Sequence, residues 1–100
     1  MTYRTILDPA AQRHIRSWGL SDHVWVEVEL RLNERLPQSP TALLEKDPSL
    51  FGGEGMAYKF RLIDPEQRMR VHYFMFQVFY HVDEIRLVVT RGARIVSEGL

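Results

Sequence analysis

The chain has 100 residues, 45% of them hydrophobic and 11% aromatic, which is enough for one globular domain with a single core. Thirteen Lys and Arg balance thirteen Asp and Glu, so the net charge does not indicate a nucleic-acid binder. The absence of cysteine excludes disulfides, thiolate metal sites and a cysteine nucleophile. Because no signal sequence or membrane-spanning run is present, we expect one cytoplasmic domain over residues 1–100.

A short strand and a helix are predicted at the start of the chain. The strand covers Thr2 to Leu7, where β-favouring residues precede a break. Asp8 is a suitable N-cap and Pro9 a suitable first helical residue, while Gly19 can end the helix in a left-handed turn. One apolar face of this helix is predicted from the spacing i, i+4, i+7 of Ala11, Ile15 and Trp18.

The next segment, from Ser21 to Leu36, fits two patterns. Ser21 can cap a helix, and Glu27 and Arg31 would then form an i, i+4 pair. A stripe on that helix would consist of Trp25, Val28, Leu32 and Leu36. Strict alternation favours a strand instead, since β-branched or apolar residues stand at Val24, Val26, Val28, Leu30 and Leu32. The local pattern leaves the two equal, with Leu36 and Pro37 predicted to end the element.

The second half of the chain begins with a long connection, Pro37 to Ala57, with one helical turn predicted at Thr41 to Lys46. Its glycines lack the Gly-Lys-Ser/Thr ending of a phosphate loop, so we interpret them as a flexible loop. Three strands joined by tight turns follow, and the second is long unless it is bulged. They are predicted at Tyr58 to Ile63, Arg68 to Val82 and Ile85 to Thr90.

Both faces of the long predicted strand are largely apolar in its middle. Such a strand is covered on both faces, or else one face binds another chain. His72 and His81 are nine residues apart and would face opposite sides of a regular strand, so they cannot share a metal. We predict neither a metal site nor a cofactor.

This order of elements predicts an α+β fold, in which an N-terminal strand and a two-helix hairpin pack on a small, mainly antiparallel sheet. The order, together with several short motifs, resembles the RelE/ParE family of bacterial type II toxins over nearly the whole chain. The resemblance favours a helix for the ambiguous segment. Its motifs are the Asp-Pro-Ala helix start, Leu36-Pro37, Tyr58-Lys59-Phe60-Arg61-Leu62, Arg70 with Tyr73, Val82-Asp83-Glu84 and Gly92-Ala93-Arg94.

The resemblance implies a toxin that cleaves mRNA on the ribosome without a metal. By motif, the catalytic residues would be Lys59, Arg61, Arg70 and Arg94. Arg68 is a further candidate for the position matched to Arg70, and a different alignment places that position near Phe76. Arg68 and Arg91 would bind RNA.

Phosphodiester cleavage by a 2′-hydroxyl needs charge stabilisation and proton transfer, which arginines and a lysine of lowered pKa can supply. The C-terminal tyrosine of the nuclease branch corresponds to Leu100 here. That substitution favours the alternative function, a non-catalytic ParE-like gyrase poison or a degenerate, non-toxic member that binds protein.

The partners implied by the resemblance are a cognate antitoxin protein and, for an active nuclease, the ribosome and mRNA. No membrane partner is expected. A homodimer and a hetero-oligomer are both compatible with the sequence.

Overall fold

A four-stranded sheet forms one layer of the protein, and two helices cover one of its faces. The structure is a computed structural model that describes residues 3–98. Its strands are β1 (Arg4–Leu7), β2 (Met56–Asp64), β3 (Arg70–His81) and β4 (Arg86–Ser97), in the spatial order β1-β4-β3-β2. β1 is parallel to β4, and the other two pairs are antiparallel. The predicted α+β class is therefore confirmed.

The last strand is much longer than the prediction that ended it at Thr90. The pairing of β3 with β4 shifts between Gln77 and Val78, whose partners are Arg91 and Val89, so Thr90 is an extra residue in β4. This bulge lets β4 continue to Ser97 alongside the whole of β3. The bulge expected in the long strand therefore lies in its neighbour. The start predicted for β1, Thr2, lies outside the described residues.

The first helix, α1 (Pro9–Arg16), begins and ends as its sequence indicates. The Asp8 carboxylate accepts a hydrogen bond from the backbone N–H of Ala10 at 3.1 Å. Gly19 follows the helix with φ of +64°, the left-handed conformation that glycine adopts at little cost. Ala11 and Ile15 are buried as predicted, and Trp18 packs beside them on the sheet.

The ambiguous segment is a helix, α2 (Asp22–Leu30), and the Ser21 hydroxyl accepts from the N–H of Val24 at its start. The helix continues through a π-helical segment, Arg31–Arg35, and a last turn, Leu36–Gln38. Pro37 therefore lies inside the final turn rather than ending the helix before it. A proline would clash with the carbonyl four residues back in a regular α-helix, and the wider π turn accommodates it.

A short helix and a loop lead from α2 to the sheet. α3 (Pro40–Leu43) starts one residue before the predicted turn and ends earlier. Residues 45–55, here called the crossing loop, then pass over the sheet face opposite the helices. Glu45 pairs with Ala57 at the edge of β2, and the side-chain amide of Gln77 on β3 donates to the carbonyl of Glu54 at 3.0 Å. Part of this face is therefore covered by the chain itself.

The core lies between the helices and the even-numbered residues of β2 and β3. α1 packs against β4 and α2 against β2. The largest buried side chains of this layer include Ile15, Val28, Leu32, Leu36, Phe74, Phe76 and Leu87. Residues of odd number on β2 and β3 face the other way, and we call that side the helix-free face. In residues 3–98 no helix has the length and apolarity needed to cross a membrane.

Candidate functional site

β2 places Lys59 and Arg61 on the helix-free face, with Phe60 between them directed at the helices. Alternate residues of a strand point to opposite sides, so this shared face follows from spacing alone. Phe60 packs against Phe74 and Phe76, which fixes the parity of the strand. Both basic residues are exposed, as the sequence led us to expect.

Lys59 is held by two carboxylates of the crossing loop. Its Nζ lies 3.1 Å from Glu45 Oε1 and 3.1 Å from Asp47 Oδ2. Hydrogen bonds to Asp47 and then Glu45 raise the pKa of Lys59 above its usual value. Bonds from the Ser49 hydroxyl, the Lys59 ammonium and the Ser49 backbone N–H lower the pKa of Asp47 to about 2. A general base needs a lysine of lowered pKa, so Lys59 is poorly suited to that role.

Arg61 stands in a row of exposed side chains across three strands. It pairs with Tyr73 on β3, which pairs with Ile95 on β4, and Tyr73 and Ile95 are 42% and 60% exposed. Ile63, 44% exposed, extends this surface along β2. We call these four residues the open patch. No carboxylate of residues 3–98 forms an ion pair with Arg61.

Arg94 lies on the other side of the sheet, among the helices. It pairs with Phe74, which pairs with Phe60, so all three face the helices. The Arg94 guanidinium carbon is 5.5 Å from the centre of the Trp18 ring, a cation–π contact. The expected convergence of Arg94 with Lys59 and Arg61 on one face is therefore absent.

The other predicted site residues, Arg70, Arg91 and Arg68, also do not share one face of the sheet. Arg70 is the first residue of β3 and lies opposite Asp64 in the strand register, and its guanidinium lies 3.1 Å from the Glu98 carboxylate. Arg91 pairs with Gln77 and shares the helix-free face with Lys59. Arg68 lies in the turn between β2 and β3, exposed, with φ of +54°.

His72, to which the sequence interpretation assigned no metal, is the buried centre of a polar cluster on the helix side. It is 2% exposed, and neither ring nitrogen has a hydrogen-bond partner within residues 3–98. Burial, followed by the charge of Arg94, lowers the pKa of His72, and Asp64 acts in the opposite direction. Asp64 is itself fully buried, with one carboxylate oxygen unpaired.

This cluster was not evident from the sequence because its members come from three strands. The alternation of β3 was the only available signal, since it places His72 on the same face as Phe74 and Phe76. A second missed feature is Arg31 on the π-helical segment, whose guanidinium lies 5.1 Å from the centre of the Phe60 ring. The contact depends on how the helix packs on β2, so it cannot be predicted from either segment alone.

The fold thus defines a class, an α+β domain with a mixed four-stranded sheet, whose basic residues are divided between its two faces. Within residues 3–98, no three His, Asp or Glu side chains are grouped as they would be around a metal ion. No protein-family model, curated protein or solved structure gives a significant match to the chain. The site must therefore be interpreted from its own geometry.

Proposed function

We propose that this chain is a RelE/ParE-like member of a type II toxin–antitoxin system that acts by binding a protein. One observation supports binding over catalysis by the predicted set: Lys59 and Arg61 lie on the opposite face of the sheet from Arg94. A phosphate bound at one face is out of reach of side chains that project from the other. The element order, a strand, two helices, the short α3 and three antiparallel strands, supports the family itself.

The open patch supplies the chemistry for a protein partner. Ile63, Tyr73 and Ile95 offer apolar and aromatic contact area, and Arg61 adds a charge without a carboxylate partner in residues 3–98. Tyrosine and arginine beside exposed aliphatic residues are typical of interface centres. A cognate antitoxin and a target protein such as DNA gyrase are the partners that the family suggests.

The gyrase proposal is tested by incubating purified chain with gyrase, ATP and supercoiled plasmid. We expect linear DNA to accumulate, and Arg61→Glu with Ile95→Asp to reduce its yield at least tenfold. Arg16→Glu on α1, an exposed arginine away from the open patch, is the matched control. If wild-type chain produces no linear DNA and does not arrest bacterial growth, the toxin proposal fails.

An endoribonuclease is the second candidate, and it is favoured by the charges around His72. Arg70 and Arg94 both lower the pKa of this histidine, and the strand registers place them on the helix side, on either side of His72 along the sheet. Mapping mRNA cleavage during in vitro translation tests it. The arrangement predicts that Arg94→Ala abolishes cleavage and that Lys59→Ala does not, and intact mRNA with wild-type chain eliminates this candidate.

A further inference from the structure

Two arginines of the π-helical segment lie about one turn apart and have no acidic partner. Residues four apart are neighbours along one side of a helix, so Arg31 and Arg35 project in the same direction. Glu27 and Glu34 have the spacing needed to pair with Arg31, yet neither arginine forms an ion pair within residues 3–98. Two positive charges are therefore left without neutralisation on one side of the helix.

The first of these arginines, Arg31, is held in place by β2. Its guanidinium carbon lies over the Phe60 ring, 5.1 Å from the ring centre. This contact uses the positive charge and does not require the N–H donors of the guanidinium. The Arg31 Nε is buried and has no hydrogen-bond partner in the described part of the chain. A buried donor without an acceptor is destabilising, so an anion that accepts from this nitrogen would be bound by a side chain already in position.

The Tyr58 side chain adds a hydroxyl from the sheet. Tyr58 and Phe60 are two residues apart on β2, so both point at the helices, and their ring centres are 5.0 Å apart. Burial raises the pKa of Tyr58, whereas the charges of Arg31 and Arg35 act in the opposite direction. Tyr58 is buried and Arg35 is exposed, so this group of three side chains opens to solvent on the side of Arg35.

The charges of the surrounding helix indicate which kind of anion fits. A nucleic-acid strand lying along α2 and the π-helical segment would be repelled by acidic side chains, none of which is buried. They are Asp22, Glu27, Glu29 and Glu34. A phosphate monoester is compact, and it carries about two negative charges and three acceptor oxygens at pH 7. Two guanidinium groups and a phenol match both its charge and its oxygens.

We infer that Arg31, Arg35 and Tyr58 bind the phosphate group of a small phosphomonoester. Arg31 donates from the Nε that has no partner within the chain, and Arg35 contacts the phosphate from the solvent side. The Tyr58 hydroxyl donates to a further phosphate oxygen. The site lies on the helix side of the sheet, away from the open patch, and it does not depend on the proposed function.

The probe is methyl phosphate, titrated into full-length chain and followed by nitrogen NMR of the arginine side chains. We expect the Arg31 Nε–H signal to shift until it saturates, and its proton to exchange at least tenfold more slowly with ligand bound. Arg35→Gln and Tyr58→Phe should each raise the dissociation constant at least fivefold. Arg16→Gln, which removes an exposed arginine from α1, is the matched control and should leave the dissociation constant unchanged.

Methyl sulfate tests whether the charge of the phosphate is recognised. It has the shape of methyl phosphate with one negative charge fewer, so it should bind at least tenfold more weakly. Equal binding of the two compounds would overturn the inference, as would an unchanged Arg31 Nε–H signal or an equal effect of Arg16→Gln.

Two larger probes exclude other sources of the phosphate group. Oligouridylate that binds more tightly than methyl phosphate at Arg31 and Arg35 would replace the small ligand with a nucleic acid. A phosphotyrosine peptide that binds at least tenfold more tightly at these residues would replace it with a partner protein. Either result would overturn the inference. The gyrase and growth assays test the toxin proposal separately, because they do not involve this site.

Discussion

His72 makes the stability of the protein depend on pH. Its pKa is lowered in the folded state, first by burial and then by Arg94, from an ordinary value of 6.5. The unfolded chain therefore binds a proton below about pH 6.5 that the folded chain resists. The contribution of neutral His72 to the unfolding free energy is therefore fully present above about pH 6.5. Below that pH the unfolding free energy falls as the pH decreases towards the pKa of His72 in the folded protein.

We predict that His72→Leu flattens the decline in unfolding free energy between pH 7 and pH 5. The slope due to one histidine cannot exceed about 1.4 kcal/mol per pH unit. Urea unfolding at several pH values measures it, and His81→Gln, at an exposed position on the same strand, should retain the wild-type slope. An unchanged slope in His72→Leu would show that other groups cause the decline.

The ion pair between Lys59 and Asp47 gives a second prediction. Replacing Lys59 with Met should raise the pKa of Asp47 from about 2 towards 3.8, though not fully, because the Ser49 bonds remain. A carbon NMR titration of the Asp47 carboxyl from pH 1 to 6 measures the change. The ion pair is present above about pH 4 and is lost as the pH falls through the folded pKa. Lys46→Met is the control, and a wild-type midpoint near 3.8 would contradict the ion pair.

β4 shows why an element can extend past the point where its sequence indicates an end. Gly92 lies beyond the predicted end of the strand at Thr90, yet it pairs with Phe76 inside the strand. A Cβ at this position would lie 3.0 Å from Phe76 Cε1 and 3.2 Å from the Trp18 ring. The glycine is needed because the aromatic rings approach the backbone closely, which local sequence does not indicate.

We therefore predict that Gly92→Ala lowers the unfolding free energy by about 1–3 kcal/mol, the usual cost of overpacking a filled core. Chemical denaturation measures it. Arg91→Ala, at the exposed neighbouring position, should stay within about 0.5 kcal/mol. Equal effects of the two substitutions would mean that the rings move aside without cost.

Helix starts were predictable from sequence because they depend on a few adjacent residues. The Asp8 and Ser21 side chains both bind the backbone of the next turn, as their positions indicated. The end of α2 was not predictable, because the π turn before Pro37 depends on how the helix packs. Its buried residues, Leu32 and Leu36, remain against the sheet on either side of that turn.

The crossing loop is attached to the sheet through the side chain of Gln77. Gln77, buried on β3, donates to the Glu54 carbonyl and accepts from the Thr90 hydroxyl at 2.8 Å. One side chain thus joins the loop, the middle of the sheet and the bulge in β4. The crossing loop covers one part of the helix-free face, and the part beyond the loop is exposed.

Gln77→Leu should lower the unfolding free energy by about 1–3 kcal/mol, because two polar groups lose their partner. It should also speed hydrogen exchange at the Gly53 and Glu54 amides, whose bonds lie within the loop. Amide hydrogen exchange measured by NMR gives both the loss of unfolding free energy and the residues at which the structure opens more readily. Gln38→Leu, at an exposed position, should change neither the unfolding free energy nor these exchange rates. If Gln77→Leu exchanges as slowly as wild type at Gly53 and Glu54, other contacts hold the loop.

The sequence by itself determined the α+β class, the caps of the helices and the shared face of Lys59 and Arg61. These features depend on spacing along one element, where side-chain periods of 2 and 3.6 apply. Only the tertiary structure decided where Arg94 lies. Its face depends on the register of β4 against β3 and on the extra residue at Thr90, and a shift of one residue reverses every side chain of a strand. That register places Arg94 with Trp18 and leaves Arg61 beside Tyr73 and Ile95.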